Sequence, residues 1–136
     1  MSSNFPLGVK VQQMITHYRK SWAMRYLREA KAELMAARKM PQMAPDLIME
    51  AVRKAQIAVY YSLGEPAFIE DAVHKAIQNG GKMKDPLLKC LIEIERLVQQ
   101  ISEAPDLNVE KAAEEVDDVI QMASDIVELF TEEKLE

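Results

Sequence analysis

The sequence predicts an all-α protein, an antiparallel up-down helical bundle of four to five helices, in one domain spanning 1–136. Three observations carry that expectation. Apolar residues recur at three- and four-residue spacings, as on one face of a helix. All six prolines and four glycines fall in a few clusters, and strong helix formers dominate between them. β-branched residues are few and never alternate as a half-buried strand requires. A chain of 136 residues, 49% hydrophobic and 29% charged, is long enough to bury a core without staples.

The clusters are Pro6 with Gly8, Pro41 with Pro45, Gly64 with Pro66, then Gly80, Gly81 and Pro86, and lastly Pro105. They cut the chain into helices at about 9–40, 46–63, 67–79, 86–103 and 108–133. The first has a stripe of Ala23, Tyr26, Leu27, Ala30, Leu34 and Ala37, with a bend or break expected near Ser21. Asp46, Asp85 and Asn108 are the expected N-caps, and Pro86 suits a first helical position. Gly64 suits a helix stop. The stretch NGGKMKD reads as a hairpin turn: it lacks the spacing of a phosphate loop, and no strand precedes it. Cys90 shares an apolar side with Leu87, Leu91 and Ile94 and reads as a small core residue. The last helix has the plainest seam, Val109, Ala113, Val116, Ile120, Ala123, Val127 and Phe130, at steps of four and three. Short connectors make successive helices antiparallel.

The second helix raises the functional question. On a helical wheel Ile48, Val52, Ala55 and Val59 form a seam with Ala51 and Ala58 beside it. Tyr60 falls to one side, near Met49, Arg53 and Gln56. Tyr61 falls to the other, near Lys54 and Ile57. A helix apolar around most of its circumference is buried on several sides. It is therefore either the centre of the bundle or the surface where two bundles meet, and a homodimer through this helix is expected. The tyrosines read as packing at its margins, with hydroxyls reaching water or a partner. The same margin, Met49, Arg53, Ile57, Tyr60 and Tyr61, is the expected partner-binding surface.

Charge is uneven along the chain. Residues 1–40 hold eight Lys or Arg against two acids, +6; residues 41–107 come to −3; residues 108–136 hold two bases against ten acids, −8. The first and last segments are expected to lie together and offset one another, with solvated faces. The net charge of −5 disfavours nucleic acid for the chain as a whole. The basic first helix nonetheless leaves an RNA-binding alternative at Arg19, Lys20, Trp22 and Arg25. One cysteine provides no internal disulfide framework, and the N-terminal stretch shows no signal-peptide pattern. A cytoplasmic setting is the expectation. No apolar run reaches the length of a membrane span.

Two stretches carry a resemblance. YLREAKAELMAARKM, a proline-containing turn, and IMEAVRKAQIAVYYSLGEP resemble the first two helices of HEPN domains over Tyr26 to Pro66. The resemblance implies a bundle of four long helices with a short extra one, usually dimeric. It also implies either ribonuclease activity or a noncatalytic module that pairs with a small nucleotidyltransferase. Catalytic members carry Arg, four to six residues, then His. Here no arginine precedes His17, and the nearest before His74 is Arg53. The implied member is noncatalytic and binds a protein partner or a small ligand, without a cofactor.

AEEVDDVIQMA, with Glu115 and Asp118, is similar to the Glu-x-x-Asp helix of all-α, MazG-type nucleoside triphosphate pyrophosphatases. That alternative implies Mg²⁺ on carboxylate oxygens. Glu93 stands on the preceding helix, but Arg96 occupies the fourth position where the family places a second glutamate, and Glu95 points elsewhere. Asp71 and His74 lack the second Glu-x-x-His of a di-iron bundle, so His74 reads as a surface histidine.

Overall fold

Five α-helices and one 3-10 turn occur among the described residues: α1 (Leu7–Lys39), the turn Pro41–Met43, α2 (Ala44–Leu63), α3 (Pro66–Gln78), α4 (Pro86–Glu103) and α5 (Val109–Leu135). The computed structural model describes the backbone of residues 7–80, 85–104 and 106–135, and the side chains of 14, 16–80, 85–104 and 106–131. Gly81 to Lys84 of the expected hairpin turn, and Pro105, lie outside the described residues. No strand occurs among the described residues. None of the described helices is long and apolar enough to cross a membrane.

Local chemistry sets most boundaries. Asp85 caps α4, its Oδ1 accepting from the Leu87 amide at 2.9 Å. Asn108 caps α5 through the Lys111 amide at 3.1 Å. Each offsets a donor that the first turn leaves unpaired. Two expectations fail. Asp46 is not a cap, because the 3-10 turn runs directly into α2 and places Asp46 inside its first turn. There its carboxylate still faces the positive end of the helix dipole. Ser21 marks no break, and α1 runs unbroken through it.

Glycine ends two helices in different ways. Gly64 closes α2 through its amide to the Tyr60 carbonyl at 3.0 Å, but at φ 169° its backbone is extended and open to any residue. Gly80, after α3, has φ 94°, which strains an L side chain. A Cβ there meets nothing within 4 Å. Gly80→Ala is therefore expected to cost about 1 kcal/mol through backbone strain alone, read as a shift of the urea midpoint at unchanged slope. Gly64→Ala, with Ile69 at an ordinary 3.5 Å, should cost less.

The core forms around α2, which packs against each of the other four helices. Ile48, Ala51, Val52, Ala55, Ala58 and Val59 are all fully buried. The alanines let neighbouring helix axes approach closely. α1 brings Ala23, Leu27, Ala30, Leu34 and Ala37, and α5 brings Ala113, Val116, Ile120, Ala123 and Val127, all buried. α3 and α4 pack on α2 and on each other. Cys90 is half-buried against Met122 of α5, and burial pushes its thiol up. The apolar circumference of α2 is thus used inside the chain. Apart from Pro45 in its first turn, what it leaves well exposed is polar: Asp46, Glu50 and Arg53. The expected dimer contact through the seam of α2 is not available.

One ion cluster ties α1 to α2. The Lys54 ammonium lies 2.6 Å from Glu33 and 3.0 Å from Glu29, and Arg25 lies 3.1 Å from Glu29. Hydrogen bonds to Glu33 and then Glu29 hold the Lys54 ammonium well above the usual lysine range.

α1 and α5 also lie together, yet among the described residues no ion pair joins them. Arg28, Lys31 and Arg38 are exposed on α1, interleaved with exposed Met24 and Met35. Glu110, Glu114, Asp117, Asp118, Asp125 and Glu128 are exposed on α5. A groove of about 520 Å³ separates the two rows near one end, with Arg38 on one wall and Glu110 and Glu114 on the other. The expected proximity of basic and acidic segments holds, but their described residues do not pair directly.

Candidate functional site

A cavity of about 590 Å³ opens where α2, α3 and α4 meet, with Tyr26 of α1 at its margin. Its α2 wall follows helical spacing: Arg53, Ile57 and Tyr60 are four and three residues apart, with Gln56 and Tyr61 beside them. α3 contributes Glu70 and His74, with Glu65 at its start, and α4 contributes Glu95 and Val98.

Glu95 organises the interior. It is 9% exposed, and both carboxylate oxygens are engaged. Oε1 accepts from Gln56 Nε2 at 2.6 Å, and Oε2 accepts from Gln99 Nε2 at 2.9 Å. His74 Nε2 lies 3.4 Å from Oε2. The Gln56 amide also donates to the Tyr60 hydroxyl at 3.0 Å. One amide of α2 thus links a carboxylate of α4 to a phenol of its own helix. Burial first, then the charges of Glu95 and Glu70, push the Tyr60 hydroxyl well above the usual tyrosine range.

The other aromatics form the adjoining wall. Tyr61 stacks on Tyr26 with ring centres 5.8 Å apart and on Trp22 at 6.2 Å. Tyr18 meets Trp22 edge-on at 6.3 Å, and the Arg25 guanidinium lies 5.1 Å from the centre of the Trp22 ring. Burial, and then its tyrosine neighbours, raise the Tyr61 hydroxyl. All four tyrosines and the only tryptophan of the chain therefore lie at or beside one cavity.

Of the five residues expected to bind a partner, Arg53, Ile57, Tyr60 and Tyr61 line this cavity. Met49 does not; it is half-buried against the core. The choice between packing and site dissolves at the tyrosines, since Tyr60 is 4% exposed and still lines the cavity. Of the RNA-binding alternative, Trp22 is engaged by Tyr26, Tyr61 and Arg25. Arg25 pairs with Glu29, and Arg19 and Lys20 are half-buried.

Glu95 is the residue that sequence reasoning missed. The signal was its register: it stands four residues after Leu91 and three before Val98, both buried, so it occupies an apolar position of α4. His74 belongs to the rim of the cavity rather than to a featureless surface. The metal alternative finds no support. Glu93, Glu115 and Asp118 are exposed, and no three His, Cys, Asp or Glu among the described residues are placed to hold a metal ion. Chemically, the cavity offers a fixed carboxylate, aromatic walls, a phenol and an imidazole. Among the described residues no serine, threonine or cysteine lines it.

No protein-family model matches this chain, and no curated protein or solved structure matches it either.

Proposed function

We propose that this chain is a noncatalytic, HEPN-like helical module that binds a ligand or partner group in the cavity between α2, α3 and α4. The observation that carries the reading is the buried, hydrogen-bonded Glu95 carboxylate in an aromatic-lined cavity, with no serine, threonine or cysteine among the described lining residues. About 300–1,000 Å³ is the usual size of a small-molecule site, and the cavity falls within it. An antiparallel up-down order suits the contacts between α1 and α2: Lys54 reaches Glu29 and Glu33, while the later Tyr61 reaches the earlier Trp22 and Tyr26. Ala67, exposed on α3 and lining the cavity, offers a test. Ala67→Trp should obstruct the cavity while leaving the core intact. Calorimetric titration with a panel of nucleotides, amino acids and amines should show a saturating ligand that this variant loses. A panel without any saturating ligand, or binding unchanged in Ala67→Trp, rules the cavity out as the site.

The homodimer belongs to the same proposal, through α1 and α5 rather than α2. A two-fold axis parallel to these helices sets the basic row of each copy against the acidic row of the other, at matching levels. Met24 and Met35 add apolar contact. Charge rows of this kind govern encounter and specificity, and salt screens them. Sedimentation should show a dimer at low salt that weakens at about 0.5 M salt. The triple change Arg28→Glu, Lys31→Glu, Arg38→Glu should leave a monomer. So should Glu114→Lys, Asp117→Lys, Asp118→Lys. Mixing the two variants should restore a dimer. A wild type that stays monomeric at every salt concentration ends this part of the proposal.

A further inference from the structure

We infer that the group bound in the cavity is an organic cation, a primary ammonium or a guanidinium, with Glu95 as its counter-ion. The inference rests on the reading of this cavity as a binding site and narrows it to one ligand chemistry. The first argument is sign. Among the described residues, Glu65, Glu70 and Glu95 line the cavity against Arg53 as the one permanent cation, −2 with His74 neutral. Phosphates and carboxylates would meet net repulsion there, and a cation net attraction.

The second argument is the state of Glu95. A buried charge is ordinarily paired with an opposite one, because desolvation otherwise costs too much. Glu95 is instead held by two neutral amides, Gln56 at 2.6 Å and Gln99 at 2.9 Å. Among the described residues no Lys or Arg lies within 4 Å of it. Its one ion-pair partner among the described residues is His74 at 3.4 Å, itself 45% exposed. The amides fix the carboxylate in position without cancelling its charge. A carboxylate has about four lone-pair sites, so an arriving N–H donor can still be accepted. That is a preorganised anion, with the ordering cost met on folding rather than on binding.

The third argument is the wall. Tyr26, Tyr60 and Tyr61 line the same space. Aromatic rings pack against the methylene stem of an amine or arginine and attract its charge. A compact inorganic cation would gain nothing from them. Two sources share this chemistry: a free polyamine, and a lysine or arginine side chain of a protein.

The test is calorimetric titration of the intact chain with spermidine, an arginine-containing hexapeptide, its glutamine counterpart and adenosine monophosphate. Quenching of Trp22, stacked on Tyr61 beside the cavity, reports where binding occurs. Spermidine or the arginine peptide should saturate, at least about tenfold more tightly than the neutral and anionic probes. Glu95→Gln keeps the shape and an acceptor for Gln56; it should weaken the cation about tenfold or more. Glu70→Gln, exposed at the rim, should weaken it a few-fold and covers the case in which Glu95→Gln fails to fold. The tighter of the two cations identifies the source. Tighter binding of the monophosphate or the glutamine peptide, lost in Ala67→Trp but unchanged in Glu70→Gln and Glu95→Gln, overturns the cation and leaves the binding module standing. Saturation by none of the four overturns the cation as well.

Discussion

An Ile48→Ala chain is expected to unfold about 2–5 kcal/mol more easily than the wild type, with a thermal midpoint lower by on the order of 10 °C. Ile48 is fully buried on α2, the helix that packs against every other helix. Truncation removes the transfer free energy of three carbons and leaves a void that a closely packed core closes only in part. Ile57, two and a half turns further along the same helix, is half-buried at the cavity margin. Its truncation opens toward existing space, so Ile57→Ala should cost about 1 kcal/mol. Denaturant midpoints of both variants at one protein concentration decide the matter. Equal losses would mean that α2 does not stand at the centre of the bundle.

That central position was legible in the sequence, and the reason is local. The alternation of alanine with Ile48, Val52 and Val59 is a property of one helix, and so is the seam of α5; each can be read without knowing what it faces. Proline starts a helix readily and continues one poorly, and glycine favours helix ends, so the α3, α4 and α5 boundaries fell close to their punctuation. The site was legible only in half. Arg53, Ile57, Tyr60 and Tyr61 lie on one stretch of α2, and periodicity groups them. Glu95 stands 39 residues from its partner Gln56, and His74 reaches it from a third helix. No one-dimensional pattern relates those positions. Asp46 failed as a cap for a related reason: the 3-10 turn before α2, which moves the helix start upstream, has no periodicity of its own. An apolar circumference says that a surface is covered, and not by which chain; at the seam of α2 the covering helices belong to the same chain.

Alkaline pH should destabilise this protein more steeply than its composition alone suggests, and Tyr60 sets the sense of the effect. In the unfolded chain a tyrosine loses its proton near pH 10. In the folded chain burial, Glu95 and Glu70 hold that proton to higher pH. Over the interval between, the native state binds more protons than the unfolded state, so stability is full below about pH 10 and falls as pH rises. The slope approaches about 1.4 kcal/mol per pH unit for one such group. Lys54 acts in the same direction, because its folded-state value is also raised, by Glu33 and Glu29. Its contribution is smaller, because its ion pairs lie near the surface and are screened. Guanidinium chloride unfolding from pH 8 to 11.5 should show a plateau followed by a decline. Tyr60→Phe should remove the largest single part of that decline and Lys54→Met a lesser part, Tyr61 and Cys90 adding in the same direction because burial raises them too, while a wild-type profile that stays flat to pH 11.5 contradicts these assignments. The same phenol reports on the cavity. Ultraviolet titration should find one tyrosine ionising after the others, and Glu95→Gln should bring that late step down by removing a neighbouring negative charge. If the step does not move, Glu95 exerts no charge effect on Tyr60, which counts against it as the counter-ion of the cavity.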